Sequence, residues 1–269
     1  MLNDLVDNVY VLNLKRESFK YDILKRKLSE KGIQHQRFEA VDGYNGSISL
    51  DAEEQAYRDM LGGYKNTELY EPFLRWGAWT LFNPSCGAHR TRGAMGCLLS
   101  HKKIIQDAID KKYEKILLLQ DDIYFHNKFE EVLDDLRPTI ESNLMVHLGA
   151  AEYSDHIRED KWPDPSWNYG RIRYSTTPKT CGLWGTIIDR EMFEPFMELS
   201  KFNFFAADIS FALLGVFKYP HATWVAHPNI IISERSKSNT SDNEDVEAAM
   251  GMFFGWNLKF YDLSERYYE

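Results

Sequence analysis

The stretch Lys115–Phe125, KILLLQDDIYF, decides how this chain is read. Ile116, Leu117, Leu118 and Leu119 form an unbroken apolar run, the pattern of a strand buried on both faces in a parallel sheet. The run stops at Gln120 and two adjacent carboxylates, Asp121 and Asp122, before Ile123, Tyr124 and Phe125 resume it. Neighbouring carboxylates raise each other's pKa, so a pair at the end of a buried strand calls for a compensating partner. In parallel α/β sheets, ligands bind in the crevice outside the carboxyl ends of the strands. Paired acids at that margin suit Mg²⁺ or Mn²⁺, hard cations that take oxygen ligands. Spacing alone equally admits two solvated loop acids that cap the next helix.

Upstream, Val9–Leu14 reads as a short strand, and Glu17–Lys31 as a helix with Phe19, Ile23, Leu24 and Leu28 on its apolar face. Gly32 is a stop signal, and Ile33–Val41 returns to an extended pattern that ends in the turn pair Asp42-Gly43. This β-α-β opening predicts an α/β fold with a mostly parallel central sheet flanked by helices. Residues 44–92 read as an irregular insert with helical character around 51–61, a length more often functional than idle. Further on, the pattern predicts helices over Gly96–Lys111, Lys128–Leu136, Glu191–Leu199 and Phe205–Val216. Strands are expected over Asn143–Gly149, Gly182–Ile188 and Trp224–Ile232, and the polar SERSKSNTSDNED as a flexible loop. No internal repeat or linker divides the chain, so 1–269 is expected to form a single domain. Lys25, Arg26 and Lys27 read as a solvated helix face.

The composition narrows the function classes. Thirty-two Lys and Arg stand against 41 Asp and Glu in 269 residues, a formal charge of −9, with no basic run to grip nucleic acid. An anionic ligand therefore needs a local device such as a metal ion. No window approaches the roughly 18 apolar residues of a membrane span, and the N-terminus lacks a signal-peptide pattern. The expectation is a cytoplasmic protein, with peripheral membrane contact left open. Cys86, Cys97 and Cys181 form no CxxC pair and are expected as free thiols rather than a zinc site or a disulfide frame.

Three ordered blocks resemble glycosyltransferase family 25, the lipooligosaccharide and collagen-type sugar transferases with a nucleotide-sugar-binding GT-A fold of Rossmann type. VYVLNLKRES with RFEAVDG is similar to the family's opening strand and its Ala-Val-Asp-Gly turn. GAMGCLLSHKKIIQDAI is similar to its Gly-Cys-x-x-Ser-His helix start, and ILLLQDDIYF to its Glu-Asp-Asp strand end. Gln120 departs from the family's first acid, though a neutral amide still hydrogen-bonds a ribose hydroxyl.

The resemblance implies transfer of a sugar from a nucleotide diphosphate donor, a UDP-sugar, to a hydroxyl of a glycan acceptor, with inversion. The departing diphosphate has to be neutralised and the attacking hydroxyl deprotonated. Asp122 and Asp121 are the expected ligands of Mn²⁺ or Mg²⁺, and His227, before Pro228, is the candidate third ligand. Asn13, Leu14 and Arg16 end the first strand where base and phosphate would lie, although Arg16 equally suits a surface charge. Asp42 is expected to contact the donor or to hold its turn. Ser100 and His101 lie early on the Gly96 helix, whose N-terminal region favours anions. Gln120 and Asp121 complete the expected donor site. Asp208, flanked by apolar residues in FFAADISFALL, is the expected base, with a helix N-cap as the plain alternative. Arg235 and Lys237 are candidates for closing over the diphosphate, and Trp76, Trp79, Trp162 and Trp167 for stacking on the acceptor. An aspartyl phosphohydrolase needs two acids separated by one residue, which Asp121-Asp122-Ile123 lacks. A catalytically silent nucleotide-sugar or glycan-binding module is the alternative, with Gln120 its best argument.

Overall fold

A computed structural model describes residues 1–45, 92–152, 172–175, 180–201, 205–227, 229–234 and 258–267. Trp76, Trp79, Trp162, Trp167, Arg235 and Lys237, and the insert except its two margins, lie outside the described residues. The chain opens with β1 (Asn8–Asn13), α1 (Ser18–Glu30) and β2 (Gln36–Glu39), followed by α2 (Arg92–Asp110), β3 (Lys115–Gln120), β4 (Ile123–Phe125) and α3 (Phe129–Ser142). Then come β5 (Met145–Glu152), β6 (Ile172–Ser175), β7 (Thr180–Asp189), α4 (Phe193–Leu199), α5 (Ala207–Leu213), β8 (Thr223–His227) and β9 (Ile231–Ser233).

Seven strands form one sheet in the order β2-β1-β3-β7-β5-β8-β6. Strands β1, β2, β3, β5 and β8 run one way, while β6 and β7 oppose them. The expected α/β class, a mostly parallel sheet flanked by helices, is met. Alternation sorts the core into two layers. Val9, Val11, Leu117, Leu119, Val146 and Leu148 face α1 and α3, whereas Tyr10, Ile116, Leu118 and Met145 face α2, α4 and α5. Burial on both faces is why β3 reads as a continuous apolar run.

Several sequence expectations shift. The segment expected as one strand over Trp224–Ile232 is two: β8 lies in the main sheet, and β9 pairs antiparallel with β4 in a separate ladder. Between them Asn229 acts like a strand residue, its amide donating to the Ala150 carbonyl (2.9 Å) and its Oδ1 accepting from the Ala150 N–H (3.3 Å). The helix read from Gly96 begins at Arg92. The one read to Leu136 continues through Pro138 to Ser142. Phe19 is 49% exposed, whereas Lys20 and Lys27 are buried, so α1 is rotated from the expected face and Lys27 leaves the solvated set. Gly32 ends α1 at φ +65, a left-handed conformation that favours glycine. No helix among the described residues is long and apolar enough to cross a membrane.

Candidate active site

Strand β1 pairs in parallel with β3, placing Leu12 opposite Gln120, so Asn13 arrives beside Asp121. Asn13 is 1% exposed, and its amide is fully used: Nδ2 donates to Asp121 Oδ2 (2.5 Å) and to the Glu17 carbonyl (2.9 Å). Its Oδ1 accepts from Arg37 at 2.5 Å. Because a guanidinium only donates, that bond fixes which amide atom is the oxygen. Buried Lys20 pairs with Glu17. Its charge favours ionisation of both aspartates.

Asp122 is held from the other side. Ser233 Oγ donates to its Oδ1 (3.3 Å), and the Glu234 N–H donates to its carbonyl (2.7 Å). Burial pushes both carboxyls up from the usual range, and Asp122 is pushed further by the charge of Asp121. Gln120 is half-buried at the last position of β3.

Arg16 and Asp42, both expected to meet the donor, form an ion pair with each other. Arg16 holds Asp42 below the ordinary carboxylate range, and Asp42 Oδ1 also accepts from the Tyr44 N–H (2.9 Å). The turn is therefore held, and the pair lies at the margin beside half-buried Leu14, whose carbonyl accepts from the Glu17 N–H (2.9 Å).

The helix-terminus argument for Ser100 and His101 is corrected by the start at Arg92, which puts both in the third turn of α2, beyond the free N–H groups. Ser100 accepts from the Val41 N–H (2.8 Å) and donates to the Gly96 carbonyl (2.6 Å). It fastens the Ala-Val-Asp-Gly turn to α2. Glycines make that joint close: a Cβ on Gly96 would meet the Val41 oxygen at 2.6 Å, and one on Gly43 would meet the Arg92 oxygen at 1.8 Å. His101 is buried, which lowers its pKa, and its Nδ1 is 2.8 Å from the Cys97 carbonyl. A carbonyl only accepts, so Nδ1 carries the proton.

Asp208 is the second residue of α5, whose N-cap is Ala206, so the plain N-cap alternative does not hold. Its Oδ2 accepts from the Gly182 N–H and its Oδ1 from the Ile209 N–H, each at 2.9 Å. Leu119 pairs with Gly185, and β7 runs antiparallel to β3, so the first residues of β7, Gly182 among them, lie at the sheet end where β3 finishes. Asp208 is thereby tied to the margin that carries the acid pair. Its charge also reaches Cys97, whose thiol burial pushes up to about 12, and His101.

His227 closes β8. That strand lies three places from β3, roughly 14 Å at the usual strand spacing, and the His227 side chain lies outside the described residues. Among the described residues no group of three or more His, Cys, Asp or Glu is placed to hold a metal. The acid pair still fits a hard cation in its donor chemistry, because Mg²⁺ sites commonly use one or two carboxylates plus substrate phosphate oxygens. Sequence reading missed Lys20, Ser233 and Glu234. For Lys20 the available signal was Glu17 three residues before it, the spacing of a helical ion pair.

The model of Glycosyltransferase family 25 (LPS biosynthesis protein) matches residues 6–210. Procollagen galactosyltransferase 2 of Homo sapiens is 30% identical over 135 residues, covering 50% of this chain and 18% of that protein. Putative glycosyltransferase R655 of Acanthamoeba polyphaga mimivirus is 29% identical over 201 residues, 71% of this chain and 52% of that protein. The chain thus spans about a fifth and about half of these two relatives. A solved structure of a glycosyltransferase involved in glycosylation of the major capsid of PBCV-1 aligns with TM-score 0.42 at 14% identity, covering 91% of this chain and 99% of that one. The family match takes in Asn13, the acid pair and Asp208 alike, and this chain belongs to glycosyltransferase family 25.

Proposed function

We propose that this chain transfers a sugar, hexosyl or pentosyl, from a UDP-sugar to a hydroxyl of a glycan acceptor, with inversion and with the help of Mn²⁺ or Mg²⁺. The observation that carries the reading is the acid pair following β3, with Asn13 bonded to Asp121 and Asp208 bonded to Gly182 near the start of antiparallel β7. Asp121 and Asp122 would hold the cation, which supplies positive charge to the leaving diphosphate. Asn13 orients the Asp121 carboxylate, while Ser233 orients that of Asp122. Asp208 serves as base for the acceptor hydroxyl. Each of its oxygens takes one backbone N–H, which fixes the carboxylate and leaves lone pairs to accept the proton. A base carried by α5, on a different element from the acid pair that follows β3, suits attack from the side opposite the leaving group, hence inversion. Arg16, Leu14 and Gln120 would meet the nucleoside end of the donor. A reducing, cytoplasmic setting belongs to the same proposal, supported by the Cys97 thiol.

Incubation with a panel of nucleotide sugars, with and without Mn²⁺, tests the reading. Cation-dependent donor consumption that disappears in Asp208→Asn supports it; consumption that ignores both the cation and Asp208 removes it. Gln120 favours a second reading, a silent binding module. That reading predicts donor binding without turnover under every condition.

A further inference from the structure

Lys27 is 5% exposed and lies against two aromatic rings, with Nζ 4.4 Å from the centre of Tyr124 and 4.8 Å from that of Tyr267. It donates to the Glu265 carbonyl at 3.1 Å, and on the outside of the same helix Arg26 bonds both Glu265 carboxylate oxygens (3.0 and 3.1 Å). Burial lowers its pKa, while the charges of Asp262, Glu265, Glu234 and Glu30 oppose that fall. A buried ammonium is costly unless such partners surround it. Apart from Glu30, on the same helix, the partners lie on β4, just after β9 and on the segment 258–267. Residues 258–267 run along β4: the Asp262 N–H donates to the Phe125 carbonyl (3.0 Å), and Tyr267 Oη donates to the Ile123 carbonyl (2.7 Å). Tyr124 Oη donates to Glu234 Oε2 at 2.5 Å, and the Glu234 N–H in turn donates to the Asp122 carbonyl at 2.7 Å. Glu234 follows Ser233, whose hydroxyl reaches the Asp122 carboxylate. Glu234 thus links Asp122 to one ring of the Lys27 clasp, and the other ring, Tyr267, is bonded to Ile123, the residue after Asp122.

We propose that Lys27, clasped by Tyr124 and Tyr267, is a positioning residue for Asp122. By pinning the strap and Glu234 to β4, it fixes where the carboxylate stands at the sheet margin. An apolar side chain of similar length fills the same space but lacks the bond to Glu265 and the attraction to the two ring faces. The consequence for cation binding rests on the function proposed above; the clasp itself does not.

The test compares Lys27→Met and Lys27→Arg by amide hydrogen exchange over residues 122–125 and 231–234, together with binding of Mn²⁺ alone followed by electron paramagnetic resonance. Lys27→Met is expected to lose protection in both segments and to bind Mn²⁺ about tenfold more weakly, the cost typical of removing a group that orients a metal ligand. Lys27→Arg, which keeps a cation on the rings, is expected to restore both. A folded Lys27→Met protein with unchanged protection overturns the proposal, whatever Mn²⁺ does. If that variant does not fold, Lys27→Gln decides by the same readout, since it keeps a donor for the Glu265 carbonyl but brings no charge to the two rings. Protection that follows Lys27 in a protein whose wild type binds no Mn²⁺ leaves the clasp standing and removes the cation reading instead.

Discussion

Asp121 and Asp122 are consecutive residues held by two shoulders of very different construction. The groups that form the shoulder of Asp121 are neighbours in sequence, Asn13, Glu17 and Lys20, and one buried amide carries them to the acid across 108 residues. The shoulder of Asp122 is assembled from Ser233, Glu234, Tyr124 and Tyr267, groups brought together across more than a hundred residues. One carboxylate is thus steadied by the turn that follows the first strand, the other by long-range packing. The contrast predicts that damage on the first side stays local, while damage on the second travels.

Replacing an acid tests both shoulders at once and carries the largest expected effect. Asp122→Asn is expected to lower donor turnover on the order of 10²–10³-fold, the range for losing one fixed electrostatic group, with the melting temperature kept. Equal turnover to wild type removes the acid pair from the chemistry. Next comes the seat of β9, where a Cβ on Gly149 would meet the Ile231 oxygen at 1.9 Å. Gly149→Ala is expected to cost about 1–3 kcal/mol in denaturant unfolding and to weaken donor binding as well, because β9 carries Ser233. On the local side, Asn13→Leu leaves Asp121 and Arg37 without their shared amide and is expected to cost about 1–3 kcal/mol. A double-mutant cycle of Asn13→Leu with Ser233→Ala sharpens the contrast. Independent shoulders give a coupling below about 0.5 kcal/mol, and a larger value shows that the two act as one unit.

Acid sensitivity is a smaller and graded effect. His147 is 2% exposed in β5, Nδ1 sits 2.9 Å from Thr186 Oγ1, and burial lowers its pKa to about 3. The unfolded chain takes up this proton near pH 6.5 and the folded one only near 3, so stability is full above that window and falls as pH drops through it. His147→Gln is expected to flatten the stability slope between those limits by at most about 1.4 kcal/mol per pH unit, read by urea titration at several pH values. The smallest effect is reserved for Arg266→Ala. That side chain is 53% exposed and 3.4 Å from Glu234, so its loss is expected to cost no more than about 1 kcal/mol and to vanish in high salt.

The same contrast explains how much was legible in the sequence. The strands β1 and β3 and the helix between β1 and β2 could be read from KILLLQDD and VYVLNLKRES, because a two-faced apolar run and a β-α-β order declare themselves over short distances, whereas the bond from Asn13 to Asp121 could not. Strands β1, β2, β3, β5 and β7 were legible, whereas β4 and β6 were not expected and β8 and β9 were read as one. Strand direction was not legible: a period of two is the same for parallel and antiparallel pairs, so nothing marked β7 as reversed. Lys20 and Lys27 were hidden for a related reason. A cation on a helix reads as solvated until its distant carboxylates and rings are known. Ser233 stood at the head of a polar run whose composition says loop, yet its hydroxyl is the group that reaches Asp122.

Placing β7 between β3 and β5 also has a kinetic side. One edge of β3 stays unpaired until Thr180–Asp189 joins it, so the strand that presents the acids is closed by a segment made long after it. Such late closure raises the mean sequence separation of native pairs and slows folding, while an apolar strand edge waits exposed to other chains. Refolding yield at high protein concentration should therefore depend more on the β7 segment than on the β-α-β opening, although the opening supplies the motifs by which the family is known.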